Sequence, residues 1–464
     1  MDLANKHIVI VGLGVSGIAA ARFAKNRGAS VIVTDIASEK ELAPFIPIAR
    51  NLNLSMEFGE HHIETFVNAD LIVLSPGVPH DILPIQRAKE KGIPVIGEFE
   101  LASKYIQEPI VAITGTNGKT TTTKLLGEML ERSGLKVFVG GNIGNPLLEY
   151  VEKKESASIV VAEVSSFQLD TIDTFKPNVG VLLNISADHL DRYPNFEAYV
   201  RSKARIFENQ KESDAAVLNS SDPLVRSIGK NLKARKLPFY YQYNHHKGIK
   251  EGAVISLGHS NNHKHITIHS NKSHNMRIDF SRANLPGRHN IENAAAASLA
   301  ALAVGGTLEG VQSALNEFKG LSHRLEFVNK INNVRFFNDS KATNVDAVAR
   351  ALETFDQPVV LIMGGRDKGG KFEELEKHVR RHAKKLIVMG EAKDEIRSVL
   401  GEICRGGAKT ASSMEEAVFW AYQEAVPEGI VLLSPACSSF DMYSSYAERG
   451  NDFCQAVEKL EKRV

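Results

Sequence analysis

The sequence predicts an α/β protein of three domains, and three observations lead there. At 464 residues the chain is about three times the length of a typical domain. One pattern repeats from end to end: a short β-branched run, a turn rich in Gly, Ser or Asn, then a helical stretch. Most residues able to do chemistry stand directly after those runs, where open parallel sheets hold their ligands.

Taken in order, strands are expected at Ile8–Val11, Val31–Thr34, Leu71–Leu74, Ile110–Ile113, Val137–Val139, Ile159–Ala162, Val179–Leu183 and Ala215–Leu218. Later ones are Val334–Phe337, Val359–Met363, Leu386–Met389 and Ile430–Leu433. Runs this continuous imply burial on both faces, hence parallel sheets covered by helices. One boundary falls near residues 97–108, where a new strand–helix series begins. Another falls near Gly320, between a helix over Leu308–Phe318 and the strand at Val334. The expected domains are 1–98, 99–319 and 320–464.

Residues 244–274 differ in texture, being polar and holding seven of the sixteen histidines: His245, His246, His259, His263, His265, His269 and His274. Their spacing fits no zinc pattern and no cysteine joins them. The alternation from His263 to His269 reads as an exposed strand, so a solvated edge hairpin is expected there.

Composition narrows the class. A hydrophobic fraction of 43% with 24% charged residues is that of a globular protein. The net charge of +1 gives no reason to expect nucleic acid or an anionic membrane as partner. Cys404, Cys437 and Cys454 have no metal-ligand spacing and read as reduced thiols of a cytoplasmic protein. The first apolar stretch, Ile8–Val11, is followed by glycines and lacks a signal-peptide layout. No apolar run approaches the roughly eighteen residues of a membrane span.

In the first domain Gly12-Leu-Gly14-Val15-Ser16-Gly17 follows strand one, and Asp35 closes strand two. This is a Rossmann-like arrangement in which glycines admit a pyrophosphate and an acid meets a ribose or base. It does not separate a dinucleotide from another nucleotide diphosphate. Ser75-Pro76-Gly77, after the third strand, would form another wall of that pocket.

The second domain opens on the most specific motif. Thr114-Gly115-Thr116-Asn117-Gly118-Lys119-Thr120-Thr121 follows the strand Ile110–Ile113 and starts a helix. Gly115 and Gly118 let backbone N–H groups close on a polyphosphate, Lys119 reaches the β/γ-phosphates, and the Thr120 hydroxyl suits Mg²⁺. The helix N-terminus adds its dipole. Ile113 stands where the general spacing has its first glycine, yet the flanking strand and helix argue against an ordinary turn. Further on, Gly140-Gly141-Asn142 follows a strand. Glu163 ends another and is placed to hold Mg²⁺ or orient a nucleophile. Asn184-Ile-Ser-Ala-Asp188-His189 follows a third, where His189 reads as a ligand rather than a cap. Lys203 lies on a helix, where a lysine is ordinarily a solvated cation.

Together, Gly115–Thr120, Glu163-Val-Ser-Ser-Phe-Gln-Leu, Asn184–Arg192 and the Lys203 segment resemble the Mur ligases, which add amino acids to the UDP-N-acetylmuramoyl precursor of the bacterial cell wall. Gly287-Arg-His-Asn290-Ile-Glu-Asn293 and Ser322-His-Arg324 match the same family. Asn338-Asp339-Ser340-Lys341-Ala342-Thr343-Asn344 and Leu433–Asp441 resemble the branch that takes D-glutamate as its amino acid and UDP-N-acetylmuramoyl-L-alanine as its acceptor. The resemblance covers the whole chain.

It implies a cytoplasmic, monomeric, ATP-dependent ligase of peptidoglycan precursor synthesis that works through an acyl phosphate. Its nucleotide would be ATP with two Mg²⁺, held by Gly115 to Thr121, Asn290, Asn293, Arg324 and Asp339. The first domain would hold UDP rather than NAD, through Gly14, Val15, Ser16, Asp35, Ile36 and Gly77, with Asn142 and His189 completing the substrate site. The third domain would be a Rossmann-like amino-acid module in which Lys341, Thr343, Ser439 and Phe440 hold D-glutamate. Lys119, Glu163, His189 and Lys203 would do the chemistry, and Thr120, Glu163, His189 and Lys203 would hold metal. Lys203 matches a position carbamylated in the family, which requires a deprotonated amine; at a pKa of about 10.4 only roughly one lysine in 2,500 is neutral at pH 7. The resemblance assigns no role to the charged residues of Gly364–Gly369. The rivals are a ligase of the same superfamily with another amino acid, an oxidoreductase resting on Gly12–Gly17, and a nucleotide-sugar sensor. Asn338–Asn344 with Ser434–Asp441 argues against the first and the conjunction of Glu163, His189 and Lys203 against the last.

Overall fold

Every apolar run singled out in the sequence is a strand of one of three sheets. The computed structural model describes residues 1–153, 156–242, 250–257, 264–271, 274–283 and 285–464. The first sheet contains β1 (His7–Val11), β2 (Ser30–Asp35), β3 (Ser55–Phe58), β4 (Leu71–Leu74) and β5 (Val95–Gly97), all parallel, in the order β3-β2-β1-β4-β5. The chain turns back at β1, so β1 and β4 leave a crevice at their carboxyl ends.

The second sheet contains β6 (Ile110–Thr114), β7 (Val137–Gly141), β8 (Ile159–Glu163), β9 (Val179–Leu182), β10 (Ala215–Asn219), β11 (Arg235–Tyr241), β12 (Gly252–Leu257), β13 (Lys264–His269) and β14 (Met276–Asp279). Its order is β14-β13-β12-β11-β10-β9-β6-β8-β7. The strand β6 is central, and the helix Lys119–Arg132 leaves its end. That helix packs Leu125, Leu126, Met129 and Leu130 with the alanine-rich helix Arg288–Ala303.

The expectation of wholly parallel sheets needs correction here. The pairs β12/β13 and β13/β14 are antiparallel. The histidine-bearing strand is not an edge, because β14 lies outside it, and it is not fully solvated. Ile266 and Ile268 are buried in the core under the helices Arg288–Ala303 and Leu308–Glu317. His265 and His269 alternate onto the other face, half-exposed, and His274 is exposed. The remaining four histidines, His245, His246, His259 and His263, lie outside the described residues.

The third sheet contains β15 (Glu326–Ile331), β16 (Val334–Asn338), β17 (Val359–Gly364), β18 (Ala383–Met389), β19 (Ala408–Thr410) and β20 (Gly429–Leu433). Its order is β15-β16-β20-β17-β18-β19, parallel except for the β15/β16 hairpin. The proposed divisions at 98/99 and 319/320 fall between sheets. The first two sheets are joined by the helix Glu98–Ser103, whose Phe99, Leu101 and Ala102 share one core with Phe23, Leu147 and Leu148. Glu100 in that helix is buried, and its carboxylate accepts the N–H groups of Asp173, Thr174 and Phe175 at 3.0–3.1 Å.

Candidate functional site

The loop between β6 and the helix Lys119–Arg132 is bent by two glycines at positive φ, Gly115 at 154° and Gly118 at 86°. A Cβ on Gly118 would collide with Asn293 Oδ1. The loop is braced by Asn184, whose Oδ1 accepts from Asn117 N–H at 2.8 Å while its Nδ2 donates to Asn117 O at 3.0 Å. Lys119 Nζ folds back to donate to Gly115 O and Thr116 O, both at 2.9 Å.

Lys203 breaks the rule of the solvated helical lysine. It is 2% exposed, and its Nζ donates to the same Gly115 O at 3.0 Å and lies 4.5 Å from the Tyr199 ring centre. Burial above all, and then the Lys119 cation, hold its pKa well below the ordinary lysine value. Burial also lowers Lys119. Two amines on one carbonyl oxygen cannot both be comfortable as cations.

Glu163 ends β8 and is 2% exposed. Its Oε1 accepts from Asn142 Nδ2 at 2.8 Å, and its buried Oε2 has no hydrogen-bond partner among the described residues. His189 has φ of 55°, packs edge-on against Phe167 with ring centres 5.0 Å apart, and has its Nε2 3.7 Å from Asp188 Oδ2. Burial keeps its pKa below the usual value, with Asp188 opposing. Among the described residues no three His, Cys, Asp or Glu side chains cluster as a metal site. The oxygen donors that a divalent cation could use here are the Glu163 carboxylate, with its unpartnered buried Oε2, and the Thr120 hydroxyl.

These residues face a cleft of about 730 Å³ lined by Lys119, Thr120, Asn142, Glu163, His189, Lys203, Lys341 and Thr343. A second cavity of about 920 Å³ lies on the other side of Asn117 and Gly118 and is lined by Thr121, Asn290, Asn293, Arg324 and Asp339. The third domain reaches the loop directly. Arg324 Nη2 donates to Thr120 Oγ1 at 2.7 Å, and Asn117 Nδ2 donates to Asp346 Oδ2 at 2.8 Å. Asp339 is buried, accepts from Ser434 Oγ at 2.9 Å and Leu325 N–H at 3.2 Å, and is pushed up to about 7 by burial. Lys341 Nζ stands 3.7 Å over the Tyr446 ring, and burial with the nearby Arg324 and Lys119 cations lowers it to about 8.

The first-domain residues form a separate group. Asp35 fastens the glycine loop, its Oδ2 accepting from Leu13 N–H at 2.7 Å and its Oδ1 from Ala37 N–H at 2.9 Å. Gly14 and Ser16 lie beside Val15, which is 59% exposed, and Ile36 beyond them is 67% exposed. Gly77 O accepts from Arg192 Nη2 at 3.0 Å, bringing this domain against the His189–Arg192 loop. The structure does not bring Ser439 and Phe440 into the lining of either cavity. Ser439 is buried in the loop after β20, and Phe440 is 62% exposed. Sequence reasoning missed Asn344, Asp346 and Tyr446 as site neighbours and left Lys368, which lines the cleft, without a role.

Three family models match successive parts of the chain. The Mur ligase MurD-like N-terminal domain matches residues 6–97, the Mur ligase middle domain 113–301, and the Mur ligase glutamate ligase domain 323–437. The UDP-N-acetylmuramoylalanine–D-glutamate ligase of Desulfosudis oleivorans is 50% identical over 463 residues, covering 100% of this chain and 98% of that protein. The ligase of the same name from Desulfatibacillum aliphaticivorans is 50% identical, covering 99% and 100%. Among solved structures, the MurF ligase from Thermotoga maritima in complex with ADP aligns with a TM-score of 0.63 at 18% identity over 100% of both chains. A pseudomurein peptide ligase type C from Methanothermus fervidus aligns with a TM-score of 0.61 at 22% identity, covering 98% of this chain and 100% of that one. At those identities the two structures speak for the fold alone.

Proposed function

The chain belongs to the Mur ligase family, and from that membership we infer that it joins D-glutamate to UDP-N-acetylmuramoyl-L-alanine with consumption of ATP. The observation that carries this reading is identity of 50% along the whole chain to ligases named for that reaction. The reaction belongs to peptidoglycan precursor synthesis.

A carboxylate is a poor acyl donor because its leaving group would be oxide. Transfer of the γ-phosphoryl group from ATP to the acceptor's alanyl carboxylate gives an acyl phosphate and ADP. The amine of D-glutamate then attacks the acyl carbon, loses a proton, and phosphate leaves. Both steps bring anions together, so the site must concentrate positive charge where charge builds up. Lys119, Arg324 and Lys341 supply it. Asn290, Asn293, Arg324 and Asp339 hold ATP along with the loop Gly115–Thr121. The UDP end of the acceptor sits on Gly14, Val15, Ser16, Asp35, Ile36 and Gly77, with Asn142 and His189 nearer the reacting carboxylate. Lys341 and Thr343 receive D-glutamate from within the cleft, and Ser439 and Phe440, which line neither cavity, would have to meet it from the loop after β20.

Two Mg²⁺ ions, when bound, would neutralise phosphate charge and polarise the transferring group. Thr120, Glu163, His189 and Lys203 would hold them, Lys203 as a carbamate. That modification adds CO₂ to the neutral amine and releases one proton. The buried, depressed amine of Lys203 supports it. We further propose a monomer acting in the cytoplasm. Among the described residues no helix is long and apolar enough to cross a membrane.

Phosphate release with ATP, Mg²⁺, UDP-N-acetylmuramoyl-L-alanine and a panel of amino acids tests the reading. D-Glutamate should be used and L-glutamate refused. A preference for a diamino acid would overturn the amino-acid assignment while leaving the ligase standing. Size-exclusion chromatography with light scattering checks the monomer.

A further inference from the structure

Arg449 is 3% exposed, and no carboxylate pairs with it among the described residues. It stands in the first turn of the helix Tyr446–Glu461. Its guanidinium is spent on backbone and hydroxyl oxygens instead. Nε donates to Ser340 Oγ at 3.0 Å and Nη2 to Ser340 O at 2.8 Å. Nη2 also donates to Cys437 O at 3.1 Å, while Nη1 donates to Ser438 O and Gly364 O, both at 3.3 Å.

Those acceptors belong to three loops at the carboxyl ends of β16, β17 and β20. The first loop carries Lys341 and Thr343, the second begins at Gly364 and carries Lys368, and the third carries Ser439 and Phe440. Burying a guanidinium without a counter-ion is costly, and a core with no special task would place an apolar side chain there. The planar fork does what an apolar residue cannot: it fixes the relative positions of three separate backbones. The space is also closed, because a Cβ on Gly365 would meet both Ser438 O and Arg449 Nη1. Ser340 Oγ in turn donates to Tyr446 O at 2.8 Å, which ties in the ring under Lys341.

We propose that Arg449 is a positioning residue for the amino-acid pocket, holding the three loops in the one arrangement that reads both carboxylates of the incoming amino acid. This rests on the reading that the third domain receives D-glutamate, which the amino-acid panel on the unaltered protein tests separately. Arg449 itself lines neither cavity. A displacement of about 1 Å between reacting groups is enough to cost on the order of 10²-fold in rate, so loosening the clamp should register at the amino-acid site first.

The test is Arg449→Ala and Arg449→Lys in the full chain, with KM measured for ATP, UDP-N-acetylmuramoyl-L-alanine and the amino acid that the unaltered protein uses. Arg449→Ala should raise the amino-acid KM at least about tenfold, while the other two KM values move less than about twofold. Millimolar guanidinium should restore part of the loss and urea none of it. Arg449→Lys, which keeps the charge and loses the fork, should fall between. If Arg449→Ala is insoluble, Ser340→Ala removes one acceptor of the fork together with the Ser340–Tyr446 bond and should shift the same KM in the same direction. A lowered melting temperature with an unchanged amino-acid KM, or an equal loss across all three substrates, overturns the proposal.

Discussion

Asp346→Ala should loosen the grip of the third domain on the nucleotide loop. Asp346 Oδ2 accepts from Asn117 Nδ2 at 2.8 Å across the domain boundary and from Arg350 Nε at 2.8 Å within its own helix. Arg350 reaches on to Glu292 of the second domain at 3.5 Å. Truncating one partner of a hydrogen bond to a charged group costs about 1.5–3 kcal/mol. The Asp346 side chain is 28% exposed, which favours the lower end, about 1.5 kcal/mol. The helical pair with Arg350 adds roughly 0.3–0.5 kcal/mol, and Arg350 keeps Glu292 as a partner. The expected result is a rise of about tenfold in the KM for ATP, since about 1.4 kcal/mol is one decade. Affinity for the UDP substrate should hold, because its UDP end is assigned to the first domain and the Asp346 carboxylate bonds Asn117 and Arg350 rather than Asn142 or His189. The decisive assay is a double-mutant cycle with Asn117→Ala, read by isothermal titration of ATP. The two changes should couple by at least about 1 kcal/mol. Additivity within about 0.3–0.5 kcal/mol, the scale for independent sites, would refute the contact as a functional latch.

Lys203→Ala should lose turnover by at least about 10²-fold, the scale of a lost contact to developing charge, and acetate should restore part of it. Failure of rescue together with no carbamate carbon signal in ¹³CO₂-labelled protein would reduce Lys203 to an ordinary polar contact. Lys341→Ala should weaken use of D-glutamate by roughly 10- to 150-fold, the range for a charge-assisted hydrogen bond, and leave UDP-substrate affinity intact; equal rates with D- and L-glutamate would contradict it. Glu98, 3% exposed with a single backbone donor in Leu148 N–H at 3.4 Å, is raised from 4.5 to about 7, mainly by burial. A folded-state pKa above the unfolded one stabilises fully below about 4.5, and that stability is lost as pH rises to about 7. Denaturant unfolding should therefore show wild type losing ground to Glu98→Gln over that window, by up to about 1.4 kcal/mol per pH unit; a flat difference would refute the shift.

The nucleotide loop was legible because its determinants are local. Gly115, Gly118, Lys119 and Thr120 fall within six residues, between a strand and a helix that each announce themselves by periodicity. The same holds for Gly12 to Gly17 after β1 and for Glu163 at the end of β8. The unexpected strands are short or polar. β19 is three residues long, and β11 starts with Arg235-Lys236 and contains Pro238. β13 is expected as a strand, but its histidines conceal the burial of Ile266 and Ile268. The contacts that complete the site are long-range: Arg324 meets Thr120 across 204 positions and Asn117 meets Asp346 across 229. No pattern in either segment encodes such a meeting. Burial of Lys203 is invisible for a related reason. Helical spacing says which residues share a face, not what that face will press against.

That burial decides which amine around Gly115 O is fit for modification. Lys119 has two carbonyl acceptors, Gly115 O and Thr116 O, and stands at a helix start facing the cleft. Lys203 has the one carbonyl they share and the face of Tyr199. With like charges this close, protonating both is the least favourable state, and the amine with fewer acceptors and less water gives up its proton more readily. A neutral amine is the nucleophile that CO₂ requires. Its conversion to a carbamate would place an anion beside the Lys119 cation, so the modification would turn a repulsive pairing into an attractive one. It would also bring a second carboxylate-like group into the cleft that holds Glu163 Oε2, where one carboxylate alone would be a poor cage for a divalent ion that demands several oxygens.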